Sequence, residues 1–400
     1  MRAFDYEALY EQSPLEDIPL GPDSEAQIAR LIEDLSAYRW DEVRDDVLGS
    51  IFENMIPDAE RIALGQYYTK PQLADVIVSL CMTQPQDQVF DPGVGTGTFL
   101  TRAHERIRST SALSHEDILG NLWAVDISAF PAELAVLNLC RLDLTSADNF
   151  PRVAVRDFFT LKPGERLSFP PAKRHAGSTQ QVVLPLPQFD SIIGNPPYVR
   201  SQQLDDLEAS YKAHLHGLAK RVGVGQDSKF DAYVYYFLHA TQFLKDGGRI
   251  GFVTSAAWLT SGYGAQLQRF MLDHFQPVLI LWSEVEPFFP NQGVDTVVTI
   301  LEKLTSAERK TTRGSIRFVT FTDTLDNLLP PDGALDYWAR VDQFVDSLEA
   351  STTGEHKGFR TAMLDGQQEL THLKASPADT RSWSRPLKTT SLYRDLFGAD

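Results

Sequence analysis

The stretch that most constrains the fold of this chain is a short apolar run that ends in an acid and a glycine-rich loop. It reads Gln88-Val-Phe-Asp91-Pro92-Gly93-Val-Gly95-Thr-Gly97-Thr-Phe-Leu100. Glycines without Cβ atoms let a ligand approach the backbone, and they open a helix predicted over residues 99–107. The loop lacks the Lys-Ser/Thr pair of a P-loop and the G-x-G-x-x-G spacing of dinucleotide sites. It predicts a strand–loop–helix unit of a doubly wound α/β sheet, with a purely structural tight turn as the alternative.

Two further predicted strands also end in acids. Leu122-Trp-Ala-Val-Asp126 places a carboxylate 29 residues after the last glycine, where it can bind both hydroxyls of a ribose. Val153-Ala-Val-Arg-Asp157 is followed by Phe158, a pair suited to an adenine amino group and its ring. Each acid alone could be a helix N-cap. Three strands in succession with this ending favour one ligand site at a shared sheet edge.

The second motif is Ser191-Ile-Ile-Gly-Asn195-Pro196-Pro197-Tyr198, an apolar strand that runs into an amide, two prolines and an aromatic ring. Oδ1 of Asn195 and the Pro196 carbonyl could accept both N–H groups of a nucleobase amino group and so localise its lone pair. Prolines hold the carbonyls at fixed φ and add no competing N–H. Tyr198 could stack on a flipped base. The alternative is an ordinary Asn-Pro turn.

Cysteine usage excludes several kinds of site. The chain has two cysteines, Cys81 and Cys140, each in an apolar helix-like context, too few for a disulfide framework or a zinc site. We expect both to fill the core. Neither follows a proline, which argues against the covalent cysteine chemistry of cytosine C5 methylation. No metal site is predicted.

Composition is that of a globular protein, with 42% apolar and 23% charged residues among 400. No apolar run reaches the roughly 18 residues of a membrane span, and the N-terminus has no signal-peptide pattern, so we expect a cytoplasmic protein without a membrane partner. The net charge of −17 argues against nucleic acid at first. Residues 1–60 hold −12 of it, which leaves −5 for residues 61–400.

Taken in order, these blocks and Gly65-Gln-Tyr-Tyr68-Thr69 resemble the S-adenosylmethionine-dependent N6-adenine DNA methyltransferases of restriction-modification and phage-defence systems, in their gamma motif order. The resemblance covers about residues 45–305. It implies a doubly wound Rossmann-like methyltransferase sheet, with an acidic N-terminal helical extension over residues 1–60, a catalytic domain over 61–305 and a small C-terminal module over 306–400. The module is short for target recognition, so a missing segment, or a specificity or defence-complex subunit, is expected to contribute.

The resemblance also assigns roles to the motif residues. S-adenosylmethionine would be bound by Tyr68, Thr69, Asp91, Pro92, Gly93, Gly95, Gly97, Asp126, Asp157 and Phe158. Double-stranded DNA would present a flipped adenine to Asn195, Pro196, Pro197 and Tyr198. The implied activity is adenine-specific methyl transfer to DNA.

Two other functions stay open at this stage. Asn-Pro-Pro-Tyr also occurs in methyltransferases that act on RNA bases or on protein glutamine, although these generally lack the upstream Gly-Gln-Tyr-Tyr-Thr block. A non-catalytic subunit that binds DNA or the cofactor is the other alternative. Residues 199–230, polar and of mixed charge, are expected to form a flexible lid over substrate. The basic and aromatic tail over residues 381–388 is expected to be exposed, with phosphate and base contact as the alternative.

Overall fold

The computed structural model describes residues 21–36, 69–146, 149–169, 182–199, 201–204, 208–225, 230–289, 294–375 and 383–388. In the predicted N-terminal helical extension it contains helix α1 (Pro22–Ser36). The rest of that predicted extension, residues 1–20 and 37–60, lies outside the described residues.

Ten strands form one sheet in the order β3-β2-β1-β6-β7-β9-β8-β10-β12-β11. Their bounds are β1 Val89–Asp91, β2 Leu122–Asp126, β3 Arg152–Val155, β6 Phe189–Gly194, β7 Leu244–Ser255, β8 Phe275–Ser283, β9 Thr296–Lys303, β10 Ser315–Phe321, β11 Gly354–His356 and β12 Phe359–Asp365. A separate hairpin pairs β4 (Arg166–Phe169) with β5 (Val182–Pro185).

Strand directions decide where the motif residues lie. Five neighbouring strands of the sheet, β3, β2, β1, β6 and β7, run parallel to one another. Strand β9 is antiparallel to both of its neighbours, β7 and β8. The carboxyl ends of β1, β2, β3 and β6 therefore meet at one edge of the sheet, which is where ligands bind in open α/β sheets. The predicted α/β, doubly wound fold class is confirmed.

Helices cover both faces of this sheet, each over its own apolar core. One face is covered by α2 (Pro71–Cys81), α3 (Thr98–Thr110), α4 (His115–Leu119), α5 (Ala129–Cys140), α10 (Leu325–Leu328) and α11 (Tyr337–Ala350). The other is covered by α7 (Ala209–Arg221), α8 (Ala232–Ala240), α9 (Gly264–His274), α12 (Gly366–Ala375) and α13 (Ser384–Lys388). The short α6 spans Ser201–Leu204.

Close packing of α2 on β7 requires a glycine in the strand. A Cβ at Gly251 would lie 2.5 Å from Sγ of Cys81 and 2.8 Å from a methyl of Ile77. Cys81 and Cys140 are both free and buried, which confirms that they fill the core. None of the helices in the described ranges is long and apolar enough to cross a membrane.

The C-terminal residues continue the same ten-stranded sheet. β10 pairs in parallel with β8, and β12 and β11 follow as antiparallel strands. The prediction of an exposed tail over residues 381–388 is wrong for its apolar residues Trp383 and Leu387, which are buried, whereas Arg385 and Lys388 are exposed. Trp383 is 1% exposed, and its ring contacts Trp258 at 6.0 Å and Phe318 at 5.7 Å between centroids. An indole next to an apolar sheet face gains more from burial than from hydration. The boundaries at residues 60 and 305 stay predictions.

Candidate cofactor and catalytic site

The glycine loop lies between β2 and α5, and its contacts fix its backbone conformation. Its backbone is left-handed at Gly95 (φ +52°) and at Gly97 (φ +90°). A Cβ at Gly97 would lie 3.1 Å from Cα and Cβ of Ala135 on α5. Nδ2 of Asn138 donates to the carbonyl oxygen of Thr96 at 2.9 Å. The loop therefore needs glycine both for its backbone angles and for its contact with α5.

Two buried carboxyl groups flank this loop. Oδ1 of Asp91 accepts from the Gly93 N–H at 3.1 Å, while Oδ2 is buried and has no hydrogen-bond partner among the described residues. Asp126 accepts from the N–H groups of Ser128 at 2.9 Å and Gly95 at 3.0 Å. The pKa of Asp91 is raised to about 8, chiefly by burial, with the Gly93 hydrogen bond lowering it and the charge of nearby Asp126 raising it. Burial also raises the pKa of Asp126.

The third predicted acid is placed differently from the expectation. β3 ends at Val155, and Asp157 instead caps a 3-10 turn because its Oδ1 accepts from the Phe159 N–H at 2.9 Å. Its Oδ2 accepts from the Tyr211 hydroxyl at 2.8 Å. Phe158 is 2% exposed and packs in the aromatic core. Asp157 is therefore half-buried at the turn after β3, while the Phe158 ring packs in the core and is not placed to contact a ligand, contrary to the expectation.

The Asn-Pro-Pro-Tyr segment lies directly against the glycine loop. A Cβ at Gly194 would lie 2.8 Å from Oδ1 of Asp91, so the backbone before Asn195 passes over that carboxyl group. Nδ2 of Asn195 donates to Oγ1 of Thr69 at 3.3 Å. The structure thus brings Thr69, Asp91 and Asn195 together. Tyr68 lies outside the described residues.

The end of this segment is more enclosed than a stacking platform would be. Tyr198 is 8% exposed, and its ring packs edge-on against Phe289 with centroids 5.9 Å apart. Pro196 is buried and Pro197 is half-buried. A base that stacks on Tyr198 would therefore require the ring pair to open.

Sequence reasoning missed three features of the site. Ile127 directly follows Asp126 and is 69% exposed, so an apolar side chain borders the carboxylate. The signal was an apolar residue directly after a strand-ending acid. Asp231 accepts from the Ser201 N–H at 2.9 Å and from the Tyr263 hydroxyl at 2.7 Å, and so fixes the segment after Tyr198. In the sequence, Asp231 looks like an ordinary helix cap. The third missed feature is the contact of Tyr211 with Asp157, for which the sequence carries no local signal.

The donor set fits a nucleoside that carries a cationic amino acid. Asp91 offers a buried, unpartnered carboxyl oxygen, which suits an ammonium group. Asp126 suits ribose hydroxyls, and the exposed Ile127 and Val155 suit an aromatic base. Among the described residues no group of three or more His, Cys, Asp or Glu could hold a metal ion.

The sheet order, with antiparallel β9 between β7 and β8, and this glycine loop define a Rossmann-like methyltransferase fold. A solved methyltransferase subunit of a type I restriction-modification system from Streptococcus thermophilus has the same fold. Its TM-score is 0.56 at 16% identity, and the match covers 89% of this chain and 70% of that chain.

Sequence comparisons are more specific. Residues 120–289 match the model of the Eco57I restriction-modification methylase family. The chain is 28% identical over 229 residues to the type II methyltransferase M.XamI of Xanthomonas campestris pv. amaranthicola, covering 56% of this chain and 36% of that one. It is 25% identical over 287 residues to M.PaeR7I of Pseudomonas aeruginosa, covering 67% and 45%. The resemblance to restriction-modification methyltransferases is confirmed, and the chain spans less than half the length of either relative.

Proposed function

We propose that this chain transfers a methyl group from S-adenosylmethionine to the N6 amino group of adenine in DNA, as the modification activity of a restriction-modification or phage-defence system. The observation that carries the proposal is the packing of Asn195 against Thr69 while the preceding Gly194 backbone crosses Asp91. This contact joins the glycine-loop site to the Asn-Pro-Pro-Tyr segment, so a group held at Asp91 lies next to one held at Asn195. The match to restriction-modification methylases supports the same activity.

On the cofactor side, Asp91 holds the ammonium group with Oδ2, and the loop from Pro92 to Gly97 lies along the amino-acid portion. Asp126 binds the ribose, and Asp157 accepts from the adenine amino group. Thr69 and, in the family pattern, Tyr68 complete the amino-acid end. When bound, S-adenosylmethionine supplies a methyl group on a sulfonium leaving group.

On the target side, Oδ1 of Asn195 and the Pro196 carbonyl accept the two N–H groups of the adenine amino group. These two bonds withdraw the nitrogen lone pair from the ring and orient it for in-line attack. Pro197 fixes the backbone, and Tyr198 stacks on the flipped base after its ring pair with Phe289 opens. No covalent enzyme intermediate is needed, in keeping with two buried cysteines.

Target recognition is proposed to involve more than this chain. Relatives such as M.XamI are longer, and this chain spans 36% of that protein. Sequence selection would then come from a further segment or from a specificity subunit, which holds the double-stranded DNA while this chain acts on the extruded base.

The proposal is tested by incubating the protein with S-adenosylmethionine labelled in the methyl group and with unmethylated genomic DNA. The DNA is digested and the modified nucleoside identified, with RNA and glutamine-containing protein as parallel acceptors. N6-methyladenine in DNA is the expected product. Label in RNA or in protein, or binding of the cofactor without turnover in the presence of any partner, would refute the proposal.

The Asn195→Ala variant tests the target-binding part of the site independently of the cofactor-binding part. The variant loses one of two acceptors for the amino group, so turnover should fall at least about 100-fold. Cofactor affinity, measured by calorimetry, should stay within about 2-fold because Asp91, Asp126 and Asp157 are untouched. A variant that keeps its turnover, or one that loses the cofactor, would contradict the assigned role.

A further inference from the structure

Helix α7 follows the Asn-Pro-Pro-Tyr segment in the chain, and two of its side chains reach the turn after β3. The Tyr211 hydroxyl donates to Oδ2 of Asp157 at 2.8 Å. Nε2 of His214 lies 2.8 Å from the carbonyl oxygen of Phe159. A carbonyl oxygen only accepts, so the hydrogen is on Nε2 of His214. Helix α7, which lies within the segment predicted as a flexible lid, is therefore held against the turn after β3.

The position of α7 does not depend on these two polar contacts alone. Leu215 and Leu218 of the same helix are each 2% exposed and belong to the aromatic core beneath the sheet. The helix is thus seated by its apolar face, and the Tyr211 hydroxyl is presented to Asp157 as a fixed donor.

Asp157 keeps room for a further donor. Its Oδ1 accepts from the Phe159 N–H at 2.9 Å, and its Oδ2 accepts from Tyr211. A carboxylate has about four lone-pair positions, so each oxygen can take one more hydrogen bond. Two donors on opposite oxygens stop the carboxylate from rotating. The plane of the carboxylate, and hence the direction of its remaining acceptors, is set before any ligand arrives.

We propose that Tyr211 is a positioning residue that sets the selectivity of the cofactor site for adenine, because it fixes the Asp157 carboxylate toward the exocyclic amino group of the nucleoside. The inference rests on the proposed function and deepens it. Hypoxanthine presents a carbonyl oxygen where adenine presents an amino group, and a fixed carboxylate repels that oxygen. Loss of the Tyr211 hydroxyl lets the carboxylate turn and so weakens the discrimination.

The test measures binding by calorimetry, with S-adenosylhomocysteine and S-inosylhomocysteine as probes. Tyr211→Phe keeps the ring and removes the hydroxyl. It should bind the adenosyl probe about 10-fold more weakly, and the inosyl probe no more weakly than the wild type does, because the repulsion of its oxygen is relieved. In a cycle with Asp157→Asn, the double variant should bind no more weakly than Asp157→Asn alone. His216→Ala, an exposed residue on the same helix, should bind both probes as the wild type does.

Three results would overturn the inference. They are unchanged or tighter binding of the adenosyl probe by Tyr211→Phe, equal losses for both probes, and additive losses in the double variant. A wild-type protein that binds neither probe would instead defeat the proposed function, and the inference with it. Thermal unfolding of each variant identifies any change that comes from a loss of folding.

Discussion

Asp91 is a carboxyl group whose burial changes its charge state. Because its pKa is raised to about 8, it is mostly protonated at pH 7 in the protein without ligand. An ammonium group placed at the unpartnered Oδ2 would favour the ionised form and lower that pKa. Ligand binding and proton release at Asp91 are therefore coupled.

Binding of S-adenosylmethionine at pH 7 should release close to one proton from the protein, detected as binding enthalpies that vary with the ionisation enthalpy of the buffer. The release should vanish in Asp91→Asn, which has no carboxyl proton to lose. A buffer-independent enthalpy at pH 7 would show that Asp91 does not meet the ammonium group.

The same pKa has a consequence for folding. The unfolded chain loses the Asp91 proton near pH 4, while the folded chain keeps it to about pH 8. Between these values the folded state binds more protons, so the free energy of unfolding falls as pH rises. Relative to Asp91→Asn, the wild type should therefore lose stability from about pH 4 to about pH 8 and level off above. Urea unfolding at several pH values measures this difference.

Alanine substitutions at Gly97 and at Gly164 distinguish the cost of a left-handed backbone from the cost of a steric clash. Both have positive φ, +90° and +75°, but a Cβ at Gly97 meets Ala135, whereas one at Gly164 meets nothing within 4 Å. Each alanine substitution should cost about 1–2 kcal/mol of stability. Gly97→Ala alone should also weaken binding of S-adenosylhomocysteine, by at least about 10-fold, because α5 or the loop must move. Equal affinities in the two variants would show that the loop tolerates the displacement.

At the scale of elements, the segment after Tyr198 is fixed by the start of α8. The Ala232 N–H donates to the Val199 carbonyl at 2.9 Å. Asp231 accepts from the Ser201 N–H and from the Tyr263 hydroxyl, which also lies 2.5 Å from the Tyr233 hydroxyl. These bonds set how the chain leaves the Asn-Pro-Pro-Tyr segment.

Asp231→Ala should therefore reduce methyl transfer rather than cofactor binding. A shift of about 1 Å in a reacting group costs up to about 100-fold in rate, so we expect kcat to fall by about 10- to 100-fold with an unchanged cofactor Kd. Asp246→Ala, at the exposed beginning of β7, is the control and should leave both constants unchanged. A fall in cofactor affinity would instead show that the hydrogen bonds of Asp231 support the cofactor-binding part of the site.

The elements that could be predicted are those specified by local chemistry. The glycine loop, the helix that follows it and the strand that ends at Asp126 follow from backbone preferences and side-chain periodicity. The contact of Tyr211 with Asp157 joins residues 54 positions apart, and the burial of Trp383 depends on a sheet face formed elsewhere in the chain. Such contacts are set by how the helices pack on the sheet, which no short pattern of residues encodes.

At the scale of the whole molecule, a buried ion pair connects the catalytic sheet to its C-terminal continuation. Nε and Nη2 of Arg102 on α3 donate to Asp75 on α2 at 2.5 and 2.8 Å. The Tyr337 hydroxyl of α11 donates to the same carboxylate, and Asp332 accepts from Nη1 of Arg102 at 3.3 Å. The guanidinium also lies 5.5 Å from the centre of the Trp338 ring. Helix α11 therefore helps to stabilise the buried ion pair of Arg102 and Asp75, through the hydroxyl of Tyr337 and the ring of Trp338.

This arrangement predicts that residues 69–375 unfold as one unit. Far-UV circular dichroism and tryptophan fluorescence should give coincident urea transitions. Arg102→Leu leaves Asp75 buried without its cation and should lower the free energy of unfolding by about 3–5 kcal/mol, shifting both transitions together. Arg269→Ala, which removes an exposed pair with Asp273, should cost at most about 1 kcal/mol. Two separated transitions, with only one moved by Arg102→Leu, would instead show that the residues after 305 fold as an independent module.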